Sequence, residues 1–228
     1  MHLALRERLA FCIGEERSVF LDTEKWRYFA LPEKLDEIFR QWTGGAVETL
    51  SISETELLVR AGILVQVGSI CRQPVPLHGT VSRTIYPQED FQRDSRRSSS
   101  KLTVVRAAVQ QAWCSWLVRR GKISNFYSIQ CSSHECRTDP LSDRNSEILS
   151  ELALAFERTD NVFGNHDRCL VRSMAFVALC RQRGIEAMLV LGIRDLPFSA
   201  HAWVQHRQLV VNDTLERVSL FTPILAMR

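Results

Sequence analysis

Between Ser69 and Lys101 the chain loses the residues from which a core is built, and this break most constrains what the rest can fold into. Gln73-Pro74-Val75-Pro76, Tyr86-Pro87 and the run Asp94-Ser95-Arg96-Arg97-Ser98-Ser99-Ser100 interrupt regular structure and carry little apolar surface to bury. The stretch reads as a linker or as an extended arm crossing its neighbour. Its flanks, residues 1–68 and 102–228, must each bury a core of their own. Their charges differ as well: residues 1–68 hold 8 Lys and Arg against 11 Asp and Glu, whereas residues 102–228 hold 15 against 12. An acidic front is poorly suited to bind phosphate.

The front part begins with short apolar runs at Leu9–Ile13, Ser18–Asp22 and Arg27–Leu31, separated by polar turns, and these predict three strands. Pro32 opens an amphipathic helix whose Leu35, Ile38, Phe39 and Trp42 share one face, and Gly44-Gly45 ends it. Ser53, with Glu56 three residues later, predicts a capped helix through Arg60. Gly62 and the apolar Ile63–Val67 follow. Strands and then helices over this length describe a winged-helix-like unit.

The back part reads as helices followed by a sheet. Val104, Val105, Ala108, Ala112, Trp116 and Leu117 predict a helix ending at Gly121. Ile148, Leu149, Leu152, Ala153 and Phe156 predict another, and Arg168–Arg183, closed by Gly184, a third. The segment 127–144 between the first two reads as irregular. Ala187–Ile193, His201–His206 and Gln208–Asp213 predict consecutive antiparallel strands, with a short turn at Arg207. The fold class is therefore α+β.

Met1–Phe11 contains Arg6, Glu7 and Arg8, which breaks the apolar core a signal peptide needs. No run approaches the ~18 apolar residues of a membrane span. A cytoplasmic protein without a membrane partner is expected. Seven cysteines, an odd number without framework spacing, fit reduced thiols in such a compartment.

One of those thiols is placed for chemistry. Cys169 starts the third helix, where the dipole and free N–H groups favour a thiolate and can hold an oxyanion. His201 opens a strand, and Asp213 closes the next. With Arg207 at the turn, the two lie opposite each other across the ladder, because 201 and 213 sum to twice 207. Thiolate, base and orienting acid are the parts of covalent acyl transfer. Each has a plainer alternative: a core cysteine such as Cys180, a surface or core histidine, a turn aspartate after Asn212. Cys131, His134 and Cys136 cluster, but they lack the second ligand pair of a structural zinc site, and His166, Cys169 and His201 make no better one. No metal is expected.

Cys169-Leu170-Val171-Arg172-Ser173, Arg183-Gly184-Ile185 and Leu189-Val190-Leu191-Gly192-Ile193 resemble the transglutaminase-like, papain-like peptidase of lasso-peptide biosynthesis, the B protein. Pro197-Phe198-Ser199-Ala200-His201-Ala202-Trp203-Val204 and Val210-Val211-Asn212-Asp213 continue the resemblance, which covers residues 102–228. The front part is similar to the leader-recognition domain fused to B proteins. The resemblance implies a cysteine peptidase that strips the leader from a ribosomally made precursor, with Cys169, His201 and Asp213 catalytic. It implies no cofactor of its own, ATP entering only through a partner. That partner is an asparagine-synthetase-like macrolactam synthetase, which closes the ring on the freed amine. It further implies that the leader adds as a strand beside Tyr28, Phe29, Ala30 and Leu31, and that a small pocket near Cys169 takes a threonine of the leader. Two rivals remain: another acyl-transfer enzyme of the superfamily, an amidase or a cross-linking enzyme, and a DNA-binding regulator with an inactive peptidase-like domain.

Overall fold

The computed structural model describes residues 2–45, 50–67, 83–84, 99–123, 143–163 and 168–227. Contacts divide the chain into two compact units. One comprises Met1–His78 with Arg194–Ser199, the other Gly79–Ile193 with Ala200–Arg228.

In the first unit, β2 (Leu9–Ile13), β3 (Ser18–Asp22) and β4 (Arg27–Ala30) form an antiparallel sheet in the order β2-β3-β4. The register pairs Phe11 with Phe20 and Phe20 with Phe29, so three rings line up on one face of the pleat. Helix α1 (Glu33–Thr43) lays Phe39 on that row, 5.0 Å from Phe11 and 4.8 Å from Phe20 between ring centroids. Ile38, Trp42 and, from α2 (Ile52–Arg60), Leu58 complete the core. The buried Asp36 carboxylate accepts from the Ser18 N–H at 3.0 Å and from Arg40 Nε at 2.9 Å, tying α1 to the start of β3. A further pair, β1 (His2–Leu5) with β5 (Leu64–Val67), closes the unit. β1 is too short for alternation to reveal it.

The capping box of α2 is two residues earlier than the sequence pattern suggests. Ser51 Oγ accepts from the Glu54 N–H at 3.2 Å, and the Glu54 carboxylate accepts from the Ser51 N–H at 2.8 Å. The spacing occurs twice, at Ser51/Glu54 and at Ser53/Glu56. The chain is still extended at Ser51, so the first box closes.

The second unit packs α5 (Cys169–Gln182) against α3 (Lys101–Arg119) and α4 (Asp143–Phe163). Every residue from Val171 to Cys180 is buried, as befits a helix surrounded on all sides. Among the described residues the sheet has five strands in the order β10-β7-β8-β9-β6, formed by β7 (Met188–Arg194), β8 (Ser199–His206), β9 (Leu209–Val210), β10 (Thr222–Met227) and β6 (Arg83–Thr84). A short helix, α6 (Leu215–Val218), precedes β10. Gly192 on β7 is required by close packing: a Cβ there would sit 2.7 Å from Trp203 Cζ3 and 3.0 Å from Phe221 Cβ. Helices and sheet make the protein α+β, as the sequence implies.

Two details of the sequence reading change. The strand expected at Gln208–Asp213 is only β9, Leu209–Val210, and the chain bends after it. The sheet is mixed rather than antiparallel, because β6 runs parallel to β9. Arg83–Thr84, inside the expected linker or arm, is that β6 strand, while Ser100 at its far end caps α3 by accepting from the Thr103 N–H at 3.1 Å. Cys131, His134 and Cys136, like most of segment 127–144, lie outside the described residues.

Candidate active site

Three side chains that the sequence separates by up to 44 positions meet in the second unit. Cys169 is the first residue of α5, and the preceding Arg168 provides no side-chain cap. The first N–H groups of a helix have no partner within it, and here the Leu170 N–H turns to the Cys169 sulfur. His201 lies on β8, buried, with its ring 4.9 Å from that of Phe221 and stacked 6.2 Å from that of Trp203. Its Nε2 is 2.6 Å from Asp213 Oδ2. The Cys169 thiol and the same imidazole act on each other's ionisation, by hydrogen bond and by charge.

The hairpin geometry that brings His201 to Asp213 differs from the one the sequence suggests. Gln205 pairs with Val210 and His206 with Leu209, so the turn is the two residues Arg207-Gln208, and Arg207 takes the left-handed conformation at φ 57°. This register sets Asp213 opposite residue 202 rather than 201. Asp213 still reaches His201 because the chain has left the ladder by residue 211 and curls toward β8. The curl is held at each step. The Val211 N–H donates to Val204 O at 3.0 Å, and Asn212 Oδ1 accepts from the Val204 N–H at 2.6 Å. Asn212 Nδ2 donates to Ser173 Oγ at 2.8 Å, and Ser173 Oγ to Ala202 O at 3.0 Å. Arg172 Nη1 donates to Asn212 O at 2.5 Å while its Nε pairs with Asp160 at 3.2 Å. The Thr214 N–H donates to Asp213 Oδ1 at 2.8 Å, so one carboxylate oxygen is fixed by backbone and the other is presented to the imidazole.

Electrostatics follow from these contacts. Burial alone would push the Cys169 thiol up, but the hydrogen bond and charge of His201, with the Ala202 and Leu170 N–H groups, outweigh it and hold the thiol below its ordinary value. Burial would likewise depress His201, yet Asp213 and the thiol, by hydrogen bond and charge, raise it. Shifts in opposite directions favour a thiolate–imidazolium pair. The other described cysteines behave as core residues: burial pushes Cys12 and Cys180 to about 12 and Cys114 to about 11. Cys169, His201 and Asp213 line a cleft of about 290 Å³, with Gln111, Asp160 and Arg168 among its other walls. Among the described residues, no group of three His, Cys, Asp or Glu is arranged to hold a metal.

Sequence reasoning missed Ser173, Arg172 and Thr84. Ser173 had a signal, as a polar residue that with Arg172 interrupts the otherwise apolar stretch Val171–Cys180. Thr84, whose Oγ1 donates to Asp213 O at 2.8 Å, had none. The leader-contact candidates lie in the first unit. Phe29 stacks on Phe20 at 5.3 Å and, with Leu31, packs on the core, whereas Ala30 is exposed and the Tyr28 ring meets Phe198 edge-on at 5.8 Å. β4 ends its sheet, and among the described residues its outer edge has no partner strand.

A cysteine opening a buried helix, followed by a histidine on a strand and an aspartate just past the next, defines a transglutaminase-like protein, and the chain belongs to the transglutaminase-like superfamily, whose family model matches residues 105–226. A relative is similar beyond that class. The Microcin J25-processing protein McjB of Escherichia coli is 37% identical over 65 residues, a match covering 28% of this chain and 29% of that protein. The two matches bear out the resemblance to the B proteins of lasso-peptide biosynthesis. No solved structure matches the chain. No helix among the described residues is long and apolar enough to cross a membrane.

Proposed function

We propose that this protein is a cysteine leader peptidase of lasso-peptide biosynthesis. It binds the leader of a ribosomally made precursor and cuts after it, freeing the α-amine of the core peptide. The observation that carries this reading is the 2.6 Å contact of Asp213 with an imidazole that also binds the Cys169 thiol. Similarity to a microcin-processing protein supports a peptide precursor as the substrate.

The chemistry follows from the site. The Cys169 thiolate attacks the scissile carbonyl carbon, and the oxygen gains charge beside the N–H groups at the start of α5. The intermediate collapses by breaking the C–N bond, and the imidazolium of His201 gives its proton to the departing amine of the core. A thioester then joins the leader's last residue to Cys169. Water, losing a proton to His201, attacks that thioester and releases the leader carboxylate and the thiol. Asp213 holds the ring and stabilises its charged form throughout.

Leader binding is assigned to the front part, residues 1–68, with a winged-helix-like recognition role. The open outer edge of β4 supports strand addition. Tyr28 and Ala30 are then the residues to meet the leader, because Phe29 and Leu31 already serve the core. No cofactor of its own enters these steps. The freed amine passes to a macrolactam synthetase, to which any need for ATP belongs.

Mass spectrometry of a precursor peptide incubated with the purified protein tests the reading. A leader and a core, each with free termini, are expected. A product in which the acyl group has moved to another amine would instead assign a cross-linking transfer.

A further inference from the structure

We infer that Thr84, in the segment that joins the two sequence regions, is a positioning residue of the active site, acting through Asp213. This rests on the reading of Cys169, His201 and Asp213 as the reacting group. Asp213 lies three residues beyond the end of β9, where no ladder holds it. Its neighbours are fixed from within the domain: Val211 by Val204, and Asn212 by Val204, Ser173 and Arg172. The Asp213 carbonyl is fixed from outside that set. Thr84 Oγ1 lies 2.8 Å from Asp213 O and 3.3 Å from Val210 O, so one hydroxyl spans the curl from the strand's last residue to the orienting acid.

The hydroxyl is held in place by main chain. Arg83 and Thr84 pair in parallel with Leu209 and Val210 on the outer edge of β9. β6 thus pins the two ends of the segment whose shape sets the 2.6 Å contact between Asp213 and His201. A charge-assisted hydrogen bond weakens steeply with distance and angle. Loosening the Asp213 backbone therefore lowers the stability of the imidazolium, and with it the fraction of Cys169 present as thiolate. The segment read from composition as a linker or an extended arm supplies part of the catalytic geometry. A catalytic piece beginning at residue 102 would lack it.

The test uses the full chain and two substitutions. Thr84→Val keeps the shape and removes the hydroxyl, whereas Thr84→Ser keeps the hydroxyl. The rate of Cys169 alkylation by iodoacetamide, mapped by peptide mass spectrometry across pH, reads the thiolate–imidazolium pair without any leader. Loss of one hydrogen bond of ordinary net worth should slow alkylation on the acid side by about three- to tenfold and move the thiol's apparent pKa upward. Thr84→Ser should stay within about twofold of the parent. A Thr84→Val profile superimposable on the parent overturns the inference. So does a Thr84→Ser profile as impaired as that of Thr84→Val, which would show that the methyl or the strand matters rather than the hydroxyl. Should Thr84→Val not fold, Thr84→Ala takes its place under the same criteria. If the parent itself showed no acid-side reactivity at Cys169, the catalytic reading would fail, a result separable from either outcome at Thr84.

Discussion

Replacing Asp213 by asparagine removes one charge from the site while leaving its shape nearly intact. The bond at stake joins two groups that are both largely shielded, with side-chain exposures of 5% for His201 and 13% for Asp213, at 2.6 Å. A hydrogen bond to a charged partner contributes about 1.5–3 kcal/mol. At about 1.4 kcal/mol per decade, the competent ion pair should fall about 10- to 150-fold, and kcat/KM with it. The sign on the pH axis is also determined. Activity rises as Cys169 ionises and falls as His201 loses its proton. Asp213 helps to raise His201, and the imidazolium in turn lowers Cys169. In Asp213→Asn the acid limb therefore moves up and the alkaline limb moves down, so the bell narrows from both sides. The assay is kcat/KM for precursor cleavage against pH, with Cys169 alkylation as a substrate-free companion. A variant whose two limbs coincide with the parent's would refute the assignment of Asp213 as orienter. Asn212 could not take the role without rearrangement, since its amide is engaged by Val204 and Ser173.

Other outcomes follow from the packing. Gly192→Ala drives a methyl into Trp203 and the Phe221 Cβ and should destabilise the protein by about 1–3 kcal/mol, read as a lower unfolding midpoint in urea. Arg172→Met leaves Asp160 half-buried without its hydrogen-bonded cation and frees the Asn212 carbonyl. A loss of about 3–5 kcal/mol is expected, with activity falling further than stability because the residue before Asp213 is released. Tyr28→Asp should weaken leader binding in fluorescence anisotropy while leaving Cys169 alkylation unchanged. Phe29→Asp should instead impair folding, since Phe29 stacks on the core ring of Phe20.

The fold class, and the three side chains that the structure brings together at one cleft, were legible in the sequence because each depends on local signals. Cys169 stands between the polar sequence Gly164-Asn165-His166-Asp167-Arg168 and a mostly apolar run that Arg172 and Ser173 interrupt. His201 and Asp213 flank a pair of β-rich segments with a turn between them. What could not be read depends on pairing at long range. Thr84 meets Val210 and Asp213 across more than a hundred residues, and β6 has two residues, too few for a pattern. The hairpin register was misjudged by one because a single-residue pivot at Arg207 and a two-residue turn at Arg207-Gln208 leave the same apolar pattern. Only the ladder distinguishes them. The capping box was misplaced for a similar reason, since two copies of the same spacing lie two residues apart. Ser173 could have been suspected, because a fully buried hydroxyl on an apolar helix must find a partner. Which partner it finds is set by β8 and Asn212.

The central claim, that Cys169 is the nucleophile of a leader peptidase, is tested most directly by mass spectrometry of a precursor peptide incubated with the parent protein and with Cys169→Ala. The account predicts separated leader and core from the parent, with a transient acyl-enzyme bearing the leader at Cys169. From Cys169→Ala it predicts intact precursor still bound by the front part. Cleavage by Cys169→Ala at a rate near the parent's would contradict it.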